Sequence, residues 1–174
     1  MTRFGRFLPS LVVLACISGC RTVPIPASFD AIQVPPGLSA QEVEVAIFSG
    51  IYNKHPPASY DPTKPLSGED FDRFIWENYL SAGRTRSWFP ESRKPGTVIA
   101  AVDTRGHYLE VALAFDTATI QTELIQSKNL QQENGQIHRK VIAWIDNLHE
   151  HIRRELNRLA TLQRLETPPW TKPG

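Results

Sequence analysis

Thr97–Ile125 reads TVIAAVDTRGHYLEVALAFDTATIQTELI, and its period decides the fold. In His107–Phe115, Leu109, Val111, Leu113 and Phe115 fall on one side and Tyr108, Glu110, Ala112 and Ala114 on the other. Side chains of a strand point alternately to its two faces, so this pattern predicts a strand with one buried side. Thr97–Asp103 reads as a second strand. Thr119–Ile125 reads as a third, with Ile120, Thr122 and Leu124 on one face. Asp103-Thr-Arg-Gly106 and Asp116-Thr-Ala118 between them have tight-turn chemistry. Connections this short join antiparallel neighbours, which makes a meander with one apolar face. Upstream, Arg84–Phe89 reads as a further short strand and Pro90–Gly96 as its turn.

An apolar sheet face needs a cover. Ile137, Val141, Ile145, Leu148, Ile152, Leu156 and Leu159 recur at three-four spacing and form one stripe of a helix over about 135–162, with Asn134 as its expected N-cap. Lys140, Asp146, Glu150, Arg154 and Arg158 lie opposite, and Glu150 and Arg154 have the spacing of an i,i+4 ion pair. Ser39-Ala-Gln-Glu42 has capping-box spacing, and Val43, Ile47 and Ile51 then predict a helix over about 39–52. His55–Pro65 reads as loop. Ser67 opens a second helix whose Phe71, Phe74, Ile75 and Tyr79 share a face, with Gly83 as its stop. Its aromatic residues, Trp76 among them, are expected in the core. The expected fold is α+β: an antiparallel meander of three to four strands, with two short N-terminal helices and one long C-terminal helix packed on one face.

The chain ends carry a different message. Met1–Cys20 reads MTRFGRFLPSLVVLACISGC. Arg3 and Arg6 precede a short apolar run, and small residues approach Cys20. That is the pattern of a secretory signal, too short to span a bilayer. The ending Ile-Ser-Gly-Cys resembles a bacterial lipobox, which implies cleavage between Gly19 and Cys20 and acylation of Cys20. Arg21 in place of Asp implies sorting to the outer membrane of a Gram-negative bacterium, with the domain in the periplasm. Of the two cysteines, Cys16 lies in the segment to be removed, so no internal disulfide can form in the remainder. The expected organisation is a signal peptide at 1–19, an acylated Cys and Pro-rich tether at 20–37, one domain at 38–164, and a Pro-rich tail at 165–174.

The chain has 174 residues, 41% of them hydrophobic, and a net charge of +1, which argues against a broad nucleic-acid surface. Loss of 1–19 removes Arg3 and Arg6 and no acid, leaving 17 basic and 18 acidic residues, a net charge of −1. Acyl chains rather than overall charge would then hold the protein to a membrane.

Chemistry is sparse. The chain lacks the G-x-S-x-G, P-loop, G-x-G-x-x-G, C-x-x-C and H-E-x-x-H patterns. His149-Glu150-His151 is a poor metal site, because residues two apart on a helix point about 200° apart. No metal site or cofactor is expected. His138 and His149 read as residues flanking the apolar stripe, each with a hydrogen bond. Arg84, Arg86, Arg93 and Lys94 near Trp88 read as a solvated hairpin edge. The one candidate polar site comprises Arg105, His107, Asn129 and His138, which the sheet edge and the start of the long helix would have to bring together.

In order along the chain stand the lipobox, Ala46-Ile47, Trp88, Pro95-Gly96, Arg105-x-His107, Ser127-Lys-Asn129-Leu130, and Ile137-His138-Arg139 followed by Trp144-Ile145 and Leu148. This order resembles that of a group of small proteobacterial outer-membrane lipoproteins, over most of residues 45–156. Val141 and Ile142 stand where that group often has an aromatic-and-amide pair, Leu124 stands where it tends to have Tyr, and 52–83 looks like an insertion. The resemblance implies location and fold rather than an activity. The leading functional expectation is a lipid-anchored envelope protein, held to the membrane through Cys20, that binds an envelope protein partner or serves in assembly. A second is a small-ligand or glycan sensor built on Arg105, His107, Asn129 and His138, and a third is an envelope hydrolase.

Overall fold

Five antiparallel strands form the main sheet in the order β2-β6-β5-β4-β3, and a separate pair, β1 and β7, forms a second small sheet. The structure is a computed structural model that describes residues 22–83 and 87–166. Its elements are β1 (Thr22–Pro24), β2 (Ile32–Gln33), α1 (Ala40–Ile51), α2 (Gly68–Asn78), β3 (Trp88–Lys94), β4 (Thr97–Thr104), β5 (His107–Phe115), β6 (Thr119–Lys128), β7 (Gln136–His138) and α3 (Lys140–Glu166). The expected signal peptide with Gly19, Cys20, Arg84, Arg86 and the tail from Thr167 onward lie outside the described residues.

The α+β class, the meander and the long C-terminal helix match the sequence reading. Leu109, Val111 and Leu113 of β5 are fully buried, and so are Val98 and Ala100 of β4 and Ile120 of β6. Asp116 closes the β5–β6 turn by accepting 2.7 Å bonds from the Ala118 and Thr119 N–H groups, which hold its carboxyl below the usual carboxylate range. The capping box of α1 is present: the Ser39 hydroxyl accepts from the Glu42 N–H, and the Glu42 carboxylate accepts from the Ser39 N–H. The stripe from Ile137 to Leu159 is buried throughout.

Several features of the strands and turns depart from expectation, each for a physical reason. The main sheet has five strands because the segment read as a tether joins it: Ile32 pairs with Ile120 and is fully buried. Farther upstream, Thr22, Val23 and Pro24 pair with His138, Ile137 and Gln136. Prolines keep this segment extended, and a proline is tolerated in an edge strand because its missing N–H is not needed there. For the same reason the expected turn at 90–96 is mostly strand. Pro90 lies in β3, an edge strand, next to a bulge at Glu91. Asn134 is not the cap of α3. Asn134 and Gly135, at φ +52° and +72°, form a two-residue hairpin turn closed by paired Glu133 and Gln136 bonds of 3.1 and 2.9 Å. Ile137 is therefore a strand residue, and the helix starts at Lys140. Finally, β6 runs on to Lys128 through a bulge that leaves Ile125, 47% exposed, without a partner on β5.

The core lies between the inner sheet face and the helices. α1, read as amphipathic, is buried all round from Glu42 to Ile51, because it packs on α3 and on the sheet, with Tyr79 from the end of α2 against Phe48 and Ser49. Gly50 sets the closest approach: a Cβ there would sit 2.6 Å from Ile152 Cγ1 and 2.9 Å from the Ile152 Cα and N. Tyr79 seals the α2 side. Its ring stacks on Phe48 at 5.3 Å, and its hydroxyl, pushed up to about 12 by burial, shares a 2.9 Å bond with Ser49. Phe71, Ile75 and Tyr79 are core, whereas Trp76 is 61% exposed.

Charges taken into this core are paired, as burial requires. Arg93 of β3 donates to both Glu44 oxygens at 2.6 and 3.2 Å and also to Asp72 of α2, so it is no solvated edge. Glu155 is fully buried between His55 and Arg154. Arg154 also donates to Asn53, and the expected Glu150–Arg154 pair does not form. His149 is buried, not boundary, with Nε2 2.7 Å from the Thr122 hydroxyl; burial, and then Arg153, lower its pKa.

Candidate functional site

The polar site starts at a hairpin. Arg105 and Gly106 link β4 to β5 at φ +52° and +77°, the backbone of a two-residue turn that matches strand twist. Thr104 and His107 close it as a cross-strand pair. Asn129, just past β6 and also at positive φ (+57°), staples this turn to the end of the neighbouring strand. Its amide donates 2.7 Å to the Gly106 carbonyl, and its own carbonyl accepts from His107 Nδ1 at 2.7 Å. Asn129 is thus a positioning residue.

His138 ends β7 immediately before α3. Its Nδ1 accepts the Lys140 N–H at 3.2 Å, and its own N–H donates to the Leu130 carbonyl at 2.8 Å. The two imidazoles therefore take opposite tautomers when neutral. His107 uses Nδ1–H on a carbonyl and keeps Nε2 as an acceptor. His138 uses Nδ1 as an acceptor and keeps Nε2–H as a donor.

All four expected residues line one open cleft of about 670 Å³. Lys140, Trp144 and Asn147 of α3 form its opposite wall, and Thr104, Leu130 and Gln131 complete it. The Arg105 and Lys140 side chains have no ion pair or hydrogen bond among the described residues. No carboxylate lines the cleft among them either, so the basic groups are not neutralised locally. Lys140, Trp144 and Asn147 were not expected in the site. Their spacing of four and then three was the available signal, a polar stripe beside the apolar one at the start of the helix.

Two other surfaces are less suited to a ligand. A hollow of about 510 Å³ beside Tyr60 and α2 carries charges of both signs, and these pair with each other, Lys64 with Asp61 at 2.8 Å and Arg73 with Asp70 at 3.4 Å. On the outer sheet face the Tyr108 hydroxyl donates to Glu110 at 3.0 Å, and Gln126 donates to the same carboxylate, so this patch is already satisfied. Among the described residues no group of three or more His, Cys, Asp or Glu is placed to hold a metal ion, and no helix is long and apolar enough to cross a membrane.

Compared with known proteins, the chain matches no family profile, and it has no significant similarity to any curated protein or solved structure.

Proposed function

We propose that this chain is a lipid-anchored protein of a Gram-negative envelope, tied through Cys20 to the outer membrane, whose domain binds a small polar ligand or glycan without transforming it. One observation carries the binding half. Arg105, His107, Asn129 and His138, which come from three separate chain segments, face one cleft with Lys140 and Trp144. Unpaired cations and an acceptor–donor pair of imidazoles suit an anionic or hydroxyl-rich ligand, and an aromatic wall suits a sugar face. The cleft offers no pair of carboxylates for acid–base work, which favours binding over hydrolysis. The anchor rests on the sequence pattern alone.

Two measurements test the halves separately. Palmitate labelling of the wild type against Cys20→Ser tests the anchor, and equal label in both overturns it. For the cleft, the Trp144 indole resonance is followed while acidic and neutral glycans are titrated. A saturable shift that Arg105→Ala abolishes is expected, and ligand-induced shifts confined to another surface overturn the assignment.

A protein-partner reading has its own support in an apolar groove formed by Val23, Pro24, Pro26 and Ile142 beside the start of α3. Pull-down from membranes with and without Ile142→Glu tests it, and a partner captured equally by both does not use this groove.

A further inference from the structure

The position of β1 bears on which anion the cleft meets. Thr22 pairs with His138, and β1 is antiparallel to β7. The amino end of β1 therefore points toward the Arg139–Lys140 end of β7, where α3 begins and the cleft opens. Cys20 precedes Thr22 by two residues, which span at most about 7 Å. Paired Cα atoms across an antiparallel ladder are about 5 Å apart. An anchor at Cys20 would therefore be tied to the His138 end of the cleft, through Thr22, by a link of only two residues.

An acylated Cys lies at the level of the lipid head groups, because its chains fill the hydrocarbon and its backbone does not. A cleft joined to such an anchor by so short a link is within reach of the head-group layer. Its groups match a phosphate. Arg105 supplies a planar fork of donors, Lys140 a point charge, and His138 Nε2–H a further donor. The amino end of a 27-residue helix adds a favourable field. The net charge of −1 expected after cleavage cannot draw the whole protein to anionic lipid, so any such attraction has to be local.

We propose that the Arg105–His138–Lys140 cleft is a phosphate site that takes the head-group phosphates of net-anionic phospholipids, not of zwitterionic ones, in the leaflet holding the anchor. This rests on the binding reading of the cleft and names its ligand class. Head-group capture would add a second contact to the acyl anchor and fix the orientation of the domain on the bilayer.

The test uses the full acylated protein in nanodiscs, with the Trp144 indole and His138 imidazole resonances as readout. One series contains phosphatidylcholine alone, a second adds phosphatidic acid, and a third adds the same concentration of inorganic phosphate to phosphatidylcholine discs. Shifts that grow with phosphatidic acid and exceed those from inorganic phosphate are expected. Arg105→Gln and Lys140→Gln should each weaken the response about tenfold, as loss of one charge-assisted bond implies. The same response in both variants overturns the site. Shifts with inorganic phosphate but none with the lipid overturn the lipid source. No shift with either phosphate overturns the proposal, and if an acidic glycan still moves Trp144, the broader binding reading stands without it.

Discussion

Gly50→Ala is the sharpest test of the helix packing. Elsewhere on a helix this change is favourable by about 1 kcal/mol, because alanine is the better helix former. At Gly50 the new methyl would lie 2.6 Å from Ile152 Cγ1 and 2.9 Å from the Ile152 Cα and N, where ordinary contact begins at 3.4 Å. The side-chain contact must open by 0.8 Å and the backbone contacts by 0.5 Å. A rotamer change relieves only the first, so α1 and α3 must move apart along their whole contact. Overpacking of this kind costs about 1–3 kcal/mol, and a rigid backbone neighbour puts it at the upper end. After the propensity gain, the expected net loss is about 1–2 kcal/mol. For a domain of this size that lowers Tm by about 3–6 °C. Gly68→Ala is the control, because nothing lies within 4 Å of its Cβ position, and it should leave Tm unchanged or slightly raised. Ile152→Ala removes the 2.6 Å contact and leaves both at 2.9 Å, so it should not restore Gly50→Ala. The assay is thermal unfolding by circular dichroism at one scan rate. A Gly50→Ala protein as stable as the wild type would refute the close crossing.

Arg93→Ala strands the buried Glu44 carboxylate and should cost about 2–3 kcal/mol in urea unfolding, with part recovered when Glu44→Gln is added. His149 has a lowered folded pKa, chiefly through burial and then Arg153, so its neutral form favours the fold. Its contribution is present above the unfolded pKa of about 6.5 and is lost as pH falls through the folded value. His149→Gln should flatten the stability–pH curve below about 6.5, and an unchanged slope there would remove His149 as its source. Gly135→Ala puts a side chain at φ +72° and should cost about 1 kcal/mol, with faster amide exchange at Ile25, whose N–H donates to the Gly135 carbonyl, and at His138.

Local signals in the chain specify the fold where one period holds without interruption. The alternation of 107–115, the Arg105-Gly106 turn and the Ser39–Glu42 capping box each specify their geometry within a few residues. Asn134-Gly135 is just as local but is masked by a second pattern. Ile137 lies four residues before Val141, so it extends the helical stripe, and because the strand buries it too, burial alone does not discriminate. The complete burial of α1 was not legible, since Val45, Phe48 and Ser49 lie off its apolar stripe, and Phe48 and Ser49 are met by Tyr79, thirty residues on from Ser49. Pairing of Thr22 with His138 joins residues 116 apart, and no local pattern at either end specifies the other. The four polar residues could be named from sequence because each sits at a turn or an element end. Their wall on α3 could not, because the true helix start was hidden.

The pairing of Thr22–Pro24 and Ile32–Gln33, within a stretch that reads from sequence as tether, bears most on the proposed function. Were that stretch a free Pro-rich tether, it could hold the domain some 50 Å from the lipid, at about 3.1 Å per residue, and every face of the domain would be equivalent with respect to the membrane. With Cys20 as the proposed anchor, pairing of β1 from Thr22 onward leaves a link of only two residues between anchor and domain, and the faces are then no longer equivalent. One hairpin, β7 with its Asn134-Gly135 turn, therefore does two things: it places His138 in the cleft and holds Thr22, two residues after the proposed anchor. A substitution that melts β1–β7 pairing without touching the cleft, such as Val23→Pro, separates the two. It should leave binding of a soluble ligand near the wild-type level, because its effect is on the link to the anchor. It should also abolish any preference of the cleft for phosphate presented on a bilayer over phosphate in solution. If that preference survives melting of the β1–β7 pair, it does not come from the strand, and the argument from anchor geometry fails even though the cleft remains a site.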